Sequence, residues 1–108
     1  IIEKRLAVKM PLQIDATVMY ARCGGKFLGC PPLRVTDYTF ASPYNTYVVS
    51  KLPTAPISNP GVDAIRAALL PQRSAYWYYL SDPKTKRTVF SVTLDEHNNN
   101  RARYLLNK

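Results

Sequence analysis

Few side chains in this 108-residue chain are suited to chemistry. His97 is its single histidine, and Asn98 follows it. Asp15 lies between Gln13 and Thr17 in PLQIDAT, and Glu3 sits near the start. Cys23 and Cys30 enclose CGGKFLGC. The densest collection is the stretch Ser42 to Gly61, SPYNTYVVSKLPTAPISNPG, which holds four of the nine prolines. Its prolines and glycine fix or free the backbone at chosen points, so it reads as a shaped loop. It carries Ser42, Tyr44, Asn45, Thr46, Tyr47 and Asn59, polar groups interleaved with aromatics. Loop residues on a rigid scaffold often line sites. The plainer reading is a Pro-rich connection between packed elements.

The same alternatives attend each candidate. Asp15 can cap a short helix, and capping does not exclude ligand binding. In extended chain Gln13 and Asp15 would point the same way. His97 and Asn98 at the inner edge of a helix need partners, supplied either by a loop or by a cleft. The two cysteines are either a disulfide closing a small loop in an oxidising compartment or a pair of free thiols. A structural zinc site needs about four ligands, which one histidine and two cysteines do not supply. No metal or cofactor is expected, and the sequence contains no GxSxG, Walker A or GxGxxG pattern.

The elements that must position these groups can be read in order. Residues 1–9 have near-helical apolar spacing, ended by Pro11. A short helix is expected over Ala16 to Arg22, with Asp15 as cap and Gly24 as its left-handed stop. Tyr47-Val48-Val49 suits a short strand. Asn59-Pro60 should cap and open a helix over about 60–70 that buries Val62, Ile65, Ala68 and Leu69, with Pro71 ending it. Residues 75–80, AYWYYL, and 88–92 form an aromatic hairpin with SDPKTKR as its turn. Thr93-Leu94-Asp95-Glu96 is a capping box for a helix to about Leu106, with Leu94, Asn98, Ala102 and Leu105 inward. The fold class is therefore α+β: a small antiparallel sheet with an aromatic hairpin, joined by a third short strand and packed by two or three helices.

Composition bounds the function. The length suits at most one small domain, and 46% hydrophobic residues make disorder an unsuitable description. No run approaches the roughly 20 apolar residues of a membrane span. The chain starts without Met and mid-pattern, so it is expected to be a piece of a longer protein whose upstream part could hold an anchor. The net charge of +8 suggests an anionic partner, but the basic residues are scattered, with one tight cluster at Lys84, Lys86 and Arg87.

Three segments taken together resemble one family: MPLQIDATVMY at 10–20, SPYNTY with LPTAPISNPG at 42–61, and EHN at 96–98. They are similar to the endolytic murein transglycosylases, the YceG-like family. RLAVKMPLQ at 5–13 and AALLPQRSAYWYYL at 67–80 extend the likeness collinearly over nearly all of the chain. Lys4, where the family often has Asn, and Thr54-Ala55, where Pro-Gly is usual, depart from the pattern.

The resemblance implies a lytic transglycosylase of the bacterial cell envelope. Such enzymes are held at the outer face of the inner membrane by an N-terminal helix. They cleave nascent peptidoglycan strands between N-acetylmuramic acid and N-acetylglucosamine, leaving 1,6-anhydro ends. One glutamate protonates the leaving oxygen and then takes the proton of the attacking C6 hydroxyl. The family's motif places that glutamate upstream of Ile1, and residues 1–108 would then be the C-terminal part of the catalytic domain. Glu3 is the alternative acid, which would require deletion of an intervening helix. The residues carried over as substrate-binding are Gln13, Asp15, Thr17, Ser42, Tyr44, Asn45, Thr46, Tyr47, Asn59, His97 and Asn98. Peptidoglycan glycan strands are the implied partner, with cell-wall synthesis enzymes beside them and no nucleic acid. Two rival readings are a glycan-binding module lacking the acid, and a basic nucleic-acid binder using Tyr76, Trp77, Tyr78 and Tyr79.

Overall fold

The computed structural model describes residues 1–106, in two compact units: residues 2–71, and the chain from residue 72 onward. The first holds helices α1 (Ile2–Ala7), α2 (Asp15–Arg22) and α3 (Val62–Leu69), with a 3-10 turn at Val35–Tyr38. The second holds strands β1 (Tyr78–Ser81) and β2 (Thr88–Ser91), then helix α4 (Leu94–Asn100), which continues as a π-helical turn over Arg101–Leu106. The class is α+β, as the sequence indicates.

In the first unit α1 stops at Ala7, before Pro11, because Lys9 turns left-handed at φ 58° and the Met10 amide returns to the Arg5 carbonyl at 2.8 Å. Arg5 is buried, and its guanidinium donates to the carbonyls of Pro11 at 2.9 Å and Leu12 at 3.3 Å. A buried cation tolerates that position only when its donors are used, so Arg5 pins the approach to α2. Helix α2 ends as its glycines require. Gly24 is left-handed at φ 61°, and the Gly25 amide bonds the Tyr20 carbonyl at 2.9 Å, the Schellman closure. The apolar core of this unit is small, Leu12 and Val18, and it is supplemented by buried Arg5, Thr17, Asn45 and Thr46.

Four local expectations are corrected here. Asp15 does not cap α2: Ile14 occupies the cap position, and Asp15 is the first helical residue. Asn59 does not cap α3, which starts later with Gly61 at the cap, and Pro60 lies outside the helix. The apolar stripe of α3 is not buried, since Val62 is 70% exposed, Leu69 74%, and every residue of the helix is exposed. Tyr47-Val48-Val49 is a turn rather than a third strand. The Asn45 side-chain carbonyl accepts the Tyr47 amide at 3.0 Å, and the Asn45 backbone carbonyl accepts the amides of Val48 and Val49 at 3.1 Å each. In a strand these amides would bond across to partner strands on either edge; a local Asn-centred turn uses them first.

In the second unit β1 and β2 pair antiparallel, with Tyr78 opposite Ser91 and Ser81 opposite Thr88. Asp82 organises the turn. Its carboxylate accepts the Lys84 amide at 2.9 Å and the Thr85 hydroxyl at 2.7 Å. These bonds favour the charged form and hold the Asp82 carboxyl below its ordinary range. Helix α4 is capped by the Thr93 hydroxyl, which accepts the Glu96 amide at 3.2 Å, while Glu96 reaches back to the Val92 amide at 3.2 Å. Asn100 donates to the fully buried Ser91 hydroxyl at 2.8 Å, which docks α4 on β2.

Candidate functional site

The residues singled out in segments 10–20 and 42–47 meet in the first unit, although about thirty positions separate them. Their junction is a pair of hydroxyls. Thr17 Oγ1 and Thr46 Oγ1 lie 3.0 Å apart, both buried. Thr46 Oγ1 accepts the Ile14 amide at 2.8 Å, and the Thr46 carbonyl accepts the Gln13 amide at 3.1 Å. Thr17 Oγ1 donates to the Ile14 carbonyl at 2.9 Å. The start of α2 is thus fastened to the loop through consecutive backbone amides.

Asn45 is fully buried beside this junction. Its side-chain amide donates to the carbonyls of Phe40 at 2.9 Å and Asp37 at 3.4 Å, while its carbonyl oxygen accepts the Tyr47 amide. All of its polar atoms face protein. Ser42 does similar work at smaller scale, accepting the Tyr44 amide at 3.1 Å. These bonds fix where the tyrosines point.

What this frame presents outward is a carboxylate among aromatic rings. Asp15 is exposed, and the Tyr47 hydroxyl donates to it. Tyr38 packs edge-on against Tyr47 with centroids 4.7 Å apart. Tyr20 stacks obliquely on Tyr44 at 5.0 Å. Tyr20 also closes over Gly25, where an added Cβ would meet the ring at a tight 3.3 Å, and the φ of 83° there favours glycine. Gln13 is exposed and left-handed at φ 53°. Because of that dihedral, the extended-chain alternation that would align Gln13 with Asp15 does not apply. A non-glycine residue held left-handed is commonly found where surrounding bonds over-determine the backbone, and functional sites are one such place. Asn59 is exposed further along the same loop.

His97 and Asn98 belong to the second unit. The His97 ring stacks on Tyr78 at 5.2 Å and is half-buried, whereas Asn98 is exposed. The less exposed positions from α4 through the π-helical turn are therefore His97, Asn100, Tyr104 and Leu105, whereas Leu94, Asn98 and Ala102, expected inward, are exposed. The Asn100–Ser91 bond sets this register, and apolar periodicity alone gives no sign of it. Glu3 is exposed in the first turn of α1.

Sequence reasoning passed over two arginines that hold the frame. Arg5 is one. Arg22 is the other: its guanidinium donates to Asp37 and to the carbonyls of Pro31 and Pro32, the last at 3.1 Å. The Arg34 amide also donates to Asp37, at 2.7 Å, and with Arg22 beside it the Asp37 carboxyl stays below its ordinary range. Cys23 and Cys30 are joined as a disulfide. Among the described residues no cluster of histidine, cysteine and acidic side chains could hold a metal ion, and no helix is long and apolar enough to cross a membrane.

The sequence model of the YceG-like family matches residues 1–103. An endolytic murein transglycosylase of Bacillus subtilis (strain 168) is 40% identical over 104 residues, covering 96% of this chain and 28% of that protein. A crystal structure of a yceG-like protein from Listeria monocytogenes superposes with a TM-score of 0.80 at 44% identity, covering 90% of this chain and 30% of that one. The chain thus spans less than a third of the length of these two relatives.

Proposed function

Because the chain belongs to the YceG-like family, we propose that it supplies substrate-binding surface to a peptidoglycan lytic transglycosylase of the cell envelope. The observation that carries this reading is the joining of segments 10–20 and 42–47 through Thr17 and Thr46, which sets Asp15 and the tyrosines on one framed surface. Such a surface suits a glycan: carboxylate and amide groups bond sugar hydroxyls, and ring faces cover the C–H faces of the sugar. In this reading Gln13, Asp15, Tyr44, Tyr47 and Asn59 meet the strand, while Thr17, Ser42, Asn45 and Thr46 brace them.

The reaction cleaves the bond between C1 of N-acetylmuramic acid and the leaving sugar oxygen. A glutamic acid gives its proton to that oxygen. The C6 hydroxyl of the same muramic acid forms the new bond to C1, and its proton returns to the glutamate. No water is consumed, and positive charge develops at C1 on the way. The Asp15 carboxylate, oriented by the Tyr47 hydroxyl, would oppose that charge. We place the acid on a glutamate upstream of Ile1 in a longer polypeptide, with residues 1–108 as the later part of its catalytic domain, and we assign Glu3 no catalytic role.

Purified glycan strands test this directly. The 108-residue chain, a version extended upstream through the family's glutamate motif, and Glu3→Gln in each are incubated with strands. Mass spectrometry then reads 1,6-anhydro ends. Ends made only by the extended protein, and unaffected by Glu3→Gln, are expected. Activity of the short chain that Glu3→Gln abolishes would make Glu3 the acid. Retained strand binding without anhydro ends from any version would replace the enzyme with a glycan-binding module.

A further inference from the structure

The loop closed by Cys23 and Cys30 supplies none of the residues assigned to the strand in the proposed cleft, yet it is built stiffly. The disulfide joins its ends, Gly24, Gly25 and Gly29 are left-handed, and the Lys26 and Cys30 amides bond back to Cys23 and Phe27 at 3.1 Å each. Arg22 ties the following segment to it by holding the carbonyls of Pro31 and Pro32 and the carboxylate of Asp37. On this frame Leu28 is 99% exposed and Val35 85%, while Phe27, 40% exposed, also leans its ring on Tyr20 with centroids 6.1 Å apart. Lys26 and Arg34, adjacent to Phe27 and Val35 in sequence, are exposed. The acid in this segment, Asp37, is already occupied by Arg22 and the Arg34 amide.

A flexible loop could fold such side chains inward. A disulfide-closed, glycine-turned loop keeps them out, so their exposure is a property of the frame. Apolar tips flanked by cations, with the local carboxylate neutralised, match the layered chemistry of an anionic lipid surface, phosphate outside and acyl chains beneath. We propose that residues 26–35 form a membrane-facing tip, with Leu28, Phe27 and Val35 entering the headgroup boundary of an anionic bilayer and Lys26 and Arg34 pairing with its phosphates. Charge complementarity favours lipid over a second copy of the chain, whose tip would bring the same cations face to face.

The test is co-sedimentation of the chain with vesicles of phosphatidylcholine alone and of phosphatidylcholine mixed with phosphatidylglycerol. Binding to the mixed vesicles is expected, and Leu28→Ser, which leaves the charge unchanged, should weaken it about tenfold. Leu28→Trp should show a blue-shifted emission component on the mixed vesicles that the unaltered chain, with Trp77 alone, lacks. Reduction of the disulfide should weaken binding as well. Since Leu28 touches solvent on nearly all sides, circular dichroism should show both variants folded. Mixed-vesicle binding that Leu28→Ser leaves unchanged would mean attraction by the overall positive charge, and the proposal would fail. It would equally fail if vesicles were not bound, or if sedimentation velocity showed Leu28 sustaining a dimer instead.

Discussion

Thr46→Val isolates the junction that frames the candidate site. The substitution keeps the branched shape of a fully buried side chain and removes its hydroxyl. Thr17 can still donate to the Ile14 carbonyl at 2.9 Å, so its own proton keeps an acceptor. The Ile14 amide, bonded to Thr46 Oγ1 at 2.8 Å, is the group left stranded. A fully buried donor without an acceptor costs about 1–3 kcal/mol, and the Ile14 amide is part-buried. We expect a loss of about 1 kcal/mol, read as a lower urea midpoint at constant slope by far-ultraviolet circular dichroism. The pair should also be coupled. With Thr17→Val already present, the interaction across 3.0 Å is gone, so the second substitution should cost less than it does alone, by roughly 0.5–1 kcal/mol. A Thr46→Val protein within about 0.5 kcal/mol of the parent, or strict additivity with Thr17→Val, would refute the argument that these hydroxyls fasten α2 to the loop.

Three further outcomes follow from the same geometry. Gln13 is held at φ 53°, so Gln13→Gly should be more stable than Gln13→Ala by about 1 kcal/mol, measured by chemical denaturation. Tyr47→Phe removes the hydroxyl that orients exposed Asp15; it should change stability by no more than about 0.5 kcal/mol while lowering the yield of 1,6-anhydro ends in the upstream-extended protein. The Asp82 carboxyl lies lower in the folded chain than unfolded, so the stability it contributes is present above the ordinary unfolded value near 3.9 and is lost as pH falls through the lower folded value. Asp82→Asn should therefore flatten the acid limb of stability against pH below about 5, and an unchanged limb would remove Asp82 from that account.

The hairpin was the most legible part of the chain, because its aromatic run, its Asp-Pro turn and the capping box after it all agree on one structure. Helix α3 was located to within about two residues, but its surroundings were misjudged. Periodicity states which face of a helix is apolar and says nothing of whether anything lies over it. The strand expected at residues 47–49 failed for a different reason. β-propensity of Tyr-Val-Val is a weak preference, and the side chain of Asn45 claims the Tyr47 amide before a strand can. Site residues divided along similar lines. Polar types in segments 10–20 and 42–47 singled out stretches that meet in the fold, yet Thr17, Asn45 and Thr46 turned inward as braces. A partner thirty positions away, such as Tyr47 for Asp15, leaves no trace in local spacing. The hubs at Arg5 and Arg22 were invisible for the same reason: a charged residue reads as surface until its acceptors are known.

The uncovered face of α3 also governs how the chain behaves in a test tube. Val62, Ile65, Leu69 and Leu70 offer a sticky stripe to any second molecule, and the surplus of eight positive charges keeps such molecules apart. These two tendencies respond oppositely to added salt. Ions shorten the reach of the repulsion to about 10 Å at 0.1 M and about 3 Å at 1 M, while apolar attraction is left intact. Colloidal behaviour should therefore invert the usual practice for a basic protein: dilute buffer keeps this chain dispersed, and concentrated salt lets the α3 stripe bring copies together.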